Sequence, residues 1–201
     1  MKIIVIGASG TLGRAVATAL EPSHDVVHAS RRGPVPVDLE DPASIDALFD
    51  AVGGIDAIVC CAASGHMAPL TGTSDEEFTF GLRGKLLGQV HLARRAAVHL
   101  TDGGSVTLTS GRFAEPVPGS SWGFLVNAGL EAFVHAAAAE MPRGIRLNVV
   151  SPGWVAETLE ALGEDPGLGT LAAEVARSYL DGIEGTAHGQ VFTPGRGTAP
   201  R

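Results

Sequence analysis

Apolar residues along this chain follow two spacings in turn, and the way they alternate predicts the architecture. Lys2-Ile3-Ile4-Val5-Ile6 is a continuous apolar run, the signature of a strand covered on both faces. It passes through Gly7-Ala8-Ser9-Gly10-Thr11-Leu12-Gly13 into apolar positions at helical spacing: Leu12, Ala15, Val16, Ala19 and Leu20. Asp25 to Ser30 reads as a second strand, and Val35-Pro36-Val37-Asp38-Leu39 as a short third. Asp41-Pro42 then starts a helix, with Asp as N-cap and Pro at the first helical position, running to about Val52. Ile55 to Ala62 is a second continuous run, as expected of a central parallel strand. Ser74-x-x-Glu77 is a capping box, and its helix is expected to reach about Leu100, with Leu82, Leu86, Val90, Leu92 and Ala93 on its apolar face. Ser105 to Ser110 is a fifth strand, Gly123 to Glu140 an Ala-rich helix, and Ile145 to Val150 a sixth strand. A helical segment around Leu171 to Leu180 and a last strand, Gln190-Val191-Phe192, close the pattern. This βα alternation predicts an α/β fold, a doubly wound parallel sheet of about seven strands with helices on both faces.

The turn between the first strand and the first helix carries the first chemical signal. Glycines at 7, 10 and 13 let the backbone turn tightly and approach a pyrophosphate, which then meets the free N–H groups and positive end of the helix. Gly7, Ser9, Gly10, Thr11, Leu12 and Gly13 are therefore candidate nucleotide-binding residues, and the fold expected is Rossmann-like. The second strand ends in Ser30-Arg31-Arg32, where such a fold inspects the adenosine ribose. An acidic residue there would accept from a free 2′-hydroxyl, whereas a hydroxyl and guanidiniums suit a 2′-phosphate. Ser30 and Arg31 thus favour NADP over NAD; the competing reading is a solvated turn.

Composition narrows the partners. With 201 residues, 45% apolar, the chain suits one domain over 1–201. A formal charge of -8 argues against nucleic acid or an anionic membrane surface, both of which reward a basic patch. The apolar run at Lys2 is too short for a signal peptide, and no stretch approaches a membrane span, so a cytoplasmic protein is expected. Cys60 and Cys61 read as buried thiols in a reducing compartment, and no His or Cys spacing suggests a metal.

Over nearly its whole length the chain resembles the short-chain dehydrogenase/reductase family. The resemblance rests on the glycine turn, Val37-Asp38-Leu39, Cys60-Cys61-Ala62-Ala63, Thr109-Ser110 and, most specifically, Leu147-Asn148-Val149-Val150-Ser151-Pro152-Gly153. By resemblance, Asp38 and Leu39 lie beside the adenine, and Pro152, Gly153 and Val155 contact the nicotinamide end of the cofactor. The middle glycine at position 10 is closer to the family's extended and atypical branches.

The family's catalytic pattern is mostly absent. Anchored on Ser110 and on Asn127-Ala128-Gly129-Leu130-Glu131-Ala132-Phe133, the family's tyrosine falls on Gly123 and its lysine on Asn127. Its asparagine falls near Arg83, so Ser110 alone remains. Neither replacement supplies a proton at neutral pH. The chain is similar to a subgroup of small family-like proteins that keep the cofactor motif and lack these residues. Replacement donors are Lys85, Arg83, His66 and Arg112, each balanced against a solvated or structural role; Lys85 is the preferred one, because desolvation in a cleft would lower its pKa. Tyr179, the only tyrosine, would serve only if its segment folded over the site. Trp122 and Trp154 are expected to flank the cleft, and the short 154–172 linker implies a small lid. Ala136 to Ala139 suit either close packing across a two-fold, giving a homodimer or homotetramer, or packing on the sheet.

Two functions remain open. One is an NADP(H)-binding oxidoreductase acting on an unidentified carbonyl or enone substrate through an unusual proton donor. The other is a non-redox protein on the same scaffold, a nucleotide-sensing binding protein or a cyclase or isomerase.

Overall fold

In the computed structural model, which describes residues 1–62, 65 and 67–195, the predicted alternation is present. The strands are β1 (Lys2–Ile6), β2 (Asp25–Ser30), β3 (Val35–Pro36), β4 (Ala57–Cys60), β5 (Ser105–Thr109), β6 (Arg146–Val150) and β7 (Val191–Phe192). They form one parallel sheet in the order β3-β2-β1-β4-β5-β6-β7. The order reverses between β1 and β4, so a crevice opens beyond their carboxyl ends.

Strand side chains alternate between two helical layers. Ile4, Ile6, Ile58, Val106 and Leu147 face a core shared with α2 (Pro42–Ala51), α4 (Gln89–His99) and α5 (Ser121–Ala138). Ile3, Val5, Ala57, Val59 and Val150 face the layer of α1 (Thr11–Leu20) and α7 (Ala172–Glu184), where Val16, Leu20, Val175 and Ile183 are buried. Among the described residues no helix is long and apolar enough to cross a membrane.

Three segments differ from the sequence expectation. The third strand is only two residues long, and Val37 and Leu39 are buried beyond its end as loop residues. The linker before α7 is not bare: it holds α6 (Ala156–Ala161) and a 3₁₀ turn (Pro166–Leu168), closed by a bridge between Val155 and Thr170. The largest difference is at the helix expected from Ser74 to Leu100. It divides into α3 (Asp75–Phe78), a π-helical segment (Leu82–Gly88) and α4. The break after α3 falls at Gly81, whose φ of +87° leaves the right-handed helical region. At Gly88 the helix approaches the loop after β3 so nearly that only glycine fits, since a Cβ there would lie 2.5 Å from the Leu39 carbonyl oxygen.

Candidate active site

The crevice at the switch point is a cavity of about 320 Å³. Its walls include Gly7, Ser9 and Gly10 after β1, Ser30 and Arg31 after β2, Asp38 and Leu39 after β3, Cys61 after β4, and Lys85 from the π-helical segment. The glycine turn is folded tightly. Gly7 has φ +80° and its N–H donates to Ala29 O at 2.8 Å, while the Gly10 N–H donates to Gly7 O at 2.9 Å. A Cβ on Gly13 would collide with the Gly7 carbonyl. Gly10 caps α1 in an extended conformation without a side-chain hydrogen bond, so the first-turn N–H groups have no side-chain cap. This cradle fits a dinucleotide's pyrophosphate. Arg14, which the sequence reading passed over, reaches back over the turn to donate to Ser9 O at 2.6 Å. After β2 the exposed Arg31 and Arg32 stand with Ser30 on the cavity wall.

The opposite end is built from side chains on three elements. Gln89, fully buried on α4, donates through Nε2 to Lys85 O at 2.6 Å and Thr109 O at 2.8 Å, and accepts from Thr109 N–H at 2.8 Å. It clamps the π-helical segment to the end of β5 and so delivers Lys85 to the cleft. Nothing in the hydrophobic pattern marked Gln89, apart from its being polar beside an apolar face. Lys85 is largely buried and has no carboxylate partner among the described residues, and burial lowers its pKa from the usual lysine value. Its Nζ would lie 3.6 Å from a Cβ on Gly111, and the Asn127 amide nitrogen 3.4 Å from the same point. Two of the candidate residues thus meet beside Gly111.

Ser110, 3% exposed, donates from Oγ to Glu131 Oε1 at 2.7 Å, and Ser151 Oγ donates to the same oxygen at 2.7 Å. Glu131 therefore ties the ends of β5 and β6 to α5, a role the sequence reading did not assign. Gly123, matched above to the family's tyrosine, faces the Phe113 ring: a Cβ there would lie 2.9 Å from Phe113 Cε2. Phe113 itself stacks on Phe124 with ring centroids 5.2 Å apart.

The remaining candidates separate. Thr11, Leu12, Gly13, Ser110, Pro152, Gly153 and Val155 sit at strand ends or the start of α1 but do not line the cavity. Arg112 is held at the Pro-Gly turn, its N–H donating to Pro152 O at 2.9 Å and its Nε 4.0 Å from a Cβ on Gly153. Arg83 Nη2 donates to Glu40 O at 3.4 Å on the exposed side. Tyr179 is excluded as a proton donor to the cleft: it is fully buried under the sheet, its hydroxyl 2.7 Å from Thr109 Oγ1, and burial raises its pKa well above the usual phenol value. The two tryptophans do not wall the cavity as expected. Trp122 Nε1 donates to Phe80 O at 3.0 Å, and Trp154 is 46% exposed beyond the Pro-Gly turn. His66 lies outside the described residues. Both cysteines are free, and burial pushes the Cys60 thiol up to about 12.

An open parallel sheet with a glycine turn at its switch point and a cleft across it defines a dinucleotide-binding α/β protein. The family model described as enoyl-(acyl carrier protein) reductase matches residues 5–186. The chain belongs to the short-chain dehydrogenase/reductase family of oxidoreductases. It is 34% identical to the enoyl-[acyl-carrier-protein] reductase [NADH] FabI of Synechocystis over 59% of this chain and 50% of that one, so it spans about half the length of that relative. It is 27% identical to the 3-oxoacyl-[acyl-carrier-protein] reductase FabG of Escherichia coli over 94% of this chain and 87% of that one. Among solved structures, protein lin1944 from Listeria innocua superposes with a TM-score of 0.90 at 38% identity, covering 96% of this chain and 98% of that one. A small-chain dehydrogenase in complex with NADPH shares the fold with a TM-score of 0.83 at 24% identity, covering 96% and 95%.

Proposed function

We propose that this protein is an NADP(H)-dependent oxidoreductase that reduces a carbonyl or enone compound, with Lys85 as the proton donor. The observation that carries the reading is the delivery of a desolvated, carboxylate-free lysine into the same cavity as the glycine turn. Gly7 to Gly13 hold the pyrophosphate, Ser30 and Arg31 the 2′-phosphate, Asp38 and Leu39 the adenine, and Pro152, Gly153 and Val155 the nicotinamide end. When bound, the cofactor supplies the hydride. Lys85 supplies what the family's tyrosine would: as negative charge develops on the substrate oxygen, the ammonium donates its proton there and is left as a neutral amine, to be reprotonated from solvent. Burial favours that neutral amine, which makes the ammonium a better acid than an exposed lysine. Ser110, buried behind the cavity wall with its proton held by Glu131, would aid the reaction only by turning that proton to the substrate oxygen.

In this reading Gly123 and Asn127 replace the family's tyrosine and lysine, and the Phe113 ring closes the tyrosine's place to a larger side chain. NADP is preferred over NAD because two guanidiniums and a hydroxyl, with no acid directly after β2, meet the ribose. The groove of about 340 Å³ between Ala93 and Ala97 of α4 and Ala136 and Ala137 of α5 supports assembly into a cytoplasmic homodimer or homotetramer.

The test is a fluorescence titration with NADPH followed by turnover against a panel of carbonyl and enone compounds. Lys85→Met is expected to lower kcat about 10²- to 10³-fold, the range of a lost general acid, and Ser110→Ala to lower it less. Unchanged turnover in both variants rejects the assignment. The Phe113 ring over Gly123 also favours a second reading, a non-redox protein on this scaffold that binds nucleotide as a sensor or uses the cleft as a cyclase or isomerase. Tight NADPH binding with no turnover selects it.

A further inference from the structure

The chain supplies nearly all of its positive charge with arginine: of 14 Lys and Arg residues, only Lys2 and Lys85 are lysines. The two sit in opposite environments. The Lys2 ammonium lies at the surface and donates to Gly53 O at 3.0 Å. Lys85 stands on the cavity wall, largely buried, and its Nζ has neither a hydrogen-bond acceptor nor a carboxylate among the described residues. Two glycines leave room beside it: a Cβ on Gly111 would lie 3.6 Å from Nζ, and one on Gly65 4.0 Å from Cδ. A buried ammonium without a counter-charge is costly, and lysine, unlike arginine, escapes that cost by giving up its proton. Burial accordingly lowers the Lys85 pKa, so a share of the molecules carries a neutral amine with a free lone pair on the cavity wall. Such an amine is a nucleophile.

We infer that Lys85 is a covalent capture site for aldehydes and ketones, its Nζ forming an imine with the carbonyl carbon in a reaction that needs no cofactor. The Nζ lone pair makes the new C–N bond while the carbonyl π pair moves to oxygen, and one N–H proton follows to give a carbinolamine. The C–O bond then breaks, and the oxygen leaves as water with the second proton of the amine. Nothing is oxidised or reduced, and water reverses the step. Gln89 holds the Lys85 carbonyl, so the amine is presented from a fixed point. Reduction uses Lys85 as an acid towards the carbonyl oxygen, whereas capture uses it as a nucleophile towards the carbonyl carbon. The two readings share only the placement of Lys85 on the cavity wall. An arginine there would serve electrostatics equally well, and only lysine can form the bond.

The test exposes the full chain at neutral pH to benzaldehyde and sodium cyanoborohydride, which reduces an imine to a stable benzylamine. Peptide mass spectrometry then locates the label, with Lys2 as the reference inside the same sample. Lys85 is expected to carry about tenfold more label than Lys2, because an amine already neutral adds to the carbonyl without first losing a proton. A label at Lys85 equal to or below that at Lys2 overturns the capture site, and this comparison needs no variant to fold. Release is read separately with cyclohexanone in water enriched in heavy oxygen, since each cycle of capture and hydrolysis replaces the carbonyl oxygen. The parent should speed that exchange, and Lys85→Arg, which keeps the charge and removes the nucleophile, should not. Equal exchange in the two proteins also overturns the proposal. A protein that labels at Lys85 but binds no NADPH loses the reductase reading and keeps the capture site. One that turns over NADPH without preferential label at Lys85 loses the capture site alone, and so the two failures are distinguishable.

Discussion

The two ends of the cleft are made of different materials. At the β1 end the cavity wall is a glycine turn, its backbone packed so closely that a Cβ on Gly13 would meet the Gly7 carbonyl. At the β5 end Lys85 of the π-helical segment reaches the wall, and behind it side chains converge from the end of β5 and from α5: Ser110, Asn127 and Glu131. A backbone site depends on what is absent from the chain at fixed spacing. A side-chain site depends on what neighbours hold in place. Mutations therefore divide by mechanism: the first end should fail through steric collision, the second through lost hydrogen bonds.

The comparison breaks hardest at Gly13. Its missing Cβ is what lets α1 start against the Gly7 carbonyl, so Gly13→Ala must move the turn itself. We expect destabilisation at or beyond the ~1–3 kcal/mol of an overpacked site, together with loss of NADPH binding of about a hundredfold or more. Thermal melting and NADPH fluorescence titration measure the two effects. An alanine that binds NADPH as the parent does would show that the cradle is not backbone-built.

At the other end the most sensitive position is Gln89. Replacing it by Leu keeps its volume but leaves Thr109 N–H, Thr109 O and Lys85 O without their partner in a buried place. The expected cost is about 2–3 kcal/mol, read from a denaturant midpoint. Nucleotide affinity at the glycine turn should change little while turnover falls, because Lys85 loses its anchor. Equal losses at both ends would mean that the two halves are one cooperative unit.

This division also explains what could be read from the chain. The doubly wound sheet was legible because buried parallel strands must be continuous apolar runs, and Ile3 to Ile6 and Ala57 to Cys60 carry that requirement locally. The glycine turn was legible for the same reason, since three glycines between a strand and a helix have one steric meaning. The helix from Ser74 to Leu100 was misread because its apolar spacing is compatible with either an α or a π turn and gives no sign that Gly81 adopts φ +87° and separates the first piece. Lys85 was found by its helical placement. Gln89 and Glu131 were not found, because each acquires a role only from hydrogen bonds to strand ends twenty or so residues away. Tyr179 followed its place in the chain: it would serve only if its segment folded over the site, and the fold keeps it in the core.

A milder test falls on the ribose contact, which mixes the two materials by placing a flexible side chain at the backbone end. Arg31→Ala is expected to weaken NADPH binding about tenfold while changing NADH binding little, since only the 2′-phosphate calls on the guanidinium. Parallel titrations with the two cofactors decide it. Equal losses would make Arg31 a general electrostatic attractor, and no loss would make it a solvated turn residue.

The smallest effect concerns the far edge of the same half, where β1 and β4 begin. The Asp56 carboxylate accepts from Lys2 N–H at 2.7 Å and from Thr101 Oγ1 at 2.8 Å, and these bonds, the Lys2 N–H foremost, lower its pKa below the usual 3.8. A carboxyl group whose pKa is lower folded than unfolded stabilises the protein fully above the unfolded value and loses that contribution as pH falls through the folded one. Asp56 is half-buried at the surface, where solvent screening keeps the contribution below about 1 kcal/mol. Acidification from neutrality should leave stability unaffected by this group until about pH 4, then loosen the start of β1, where this carboxylate holds Lys2. Amide exchange at Lys2 against exchange at Ser110, whose N–H donates to Val150 O across the β5–β6 pair, followed down the pH range in parent and Asp56→Asn, reads the order directly. If Lys2 and Ser110 are released together, the glycine-turn half and the side-chain half unfold as one, and the difference between them is confined to the cleft.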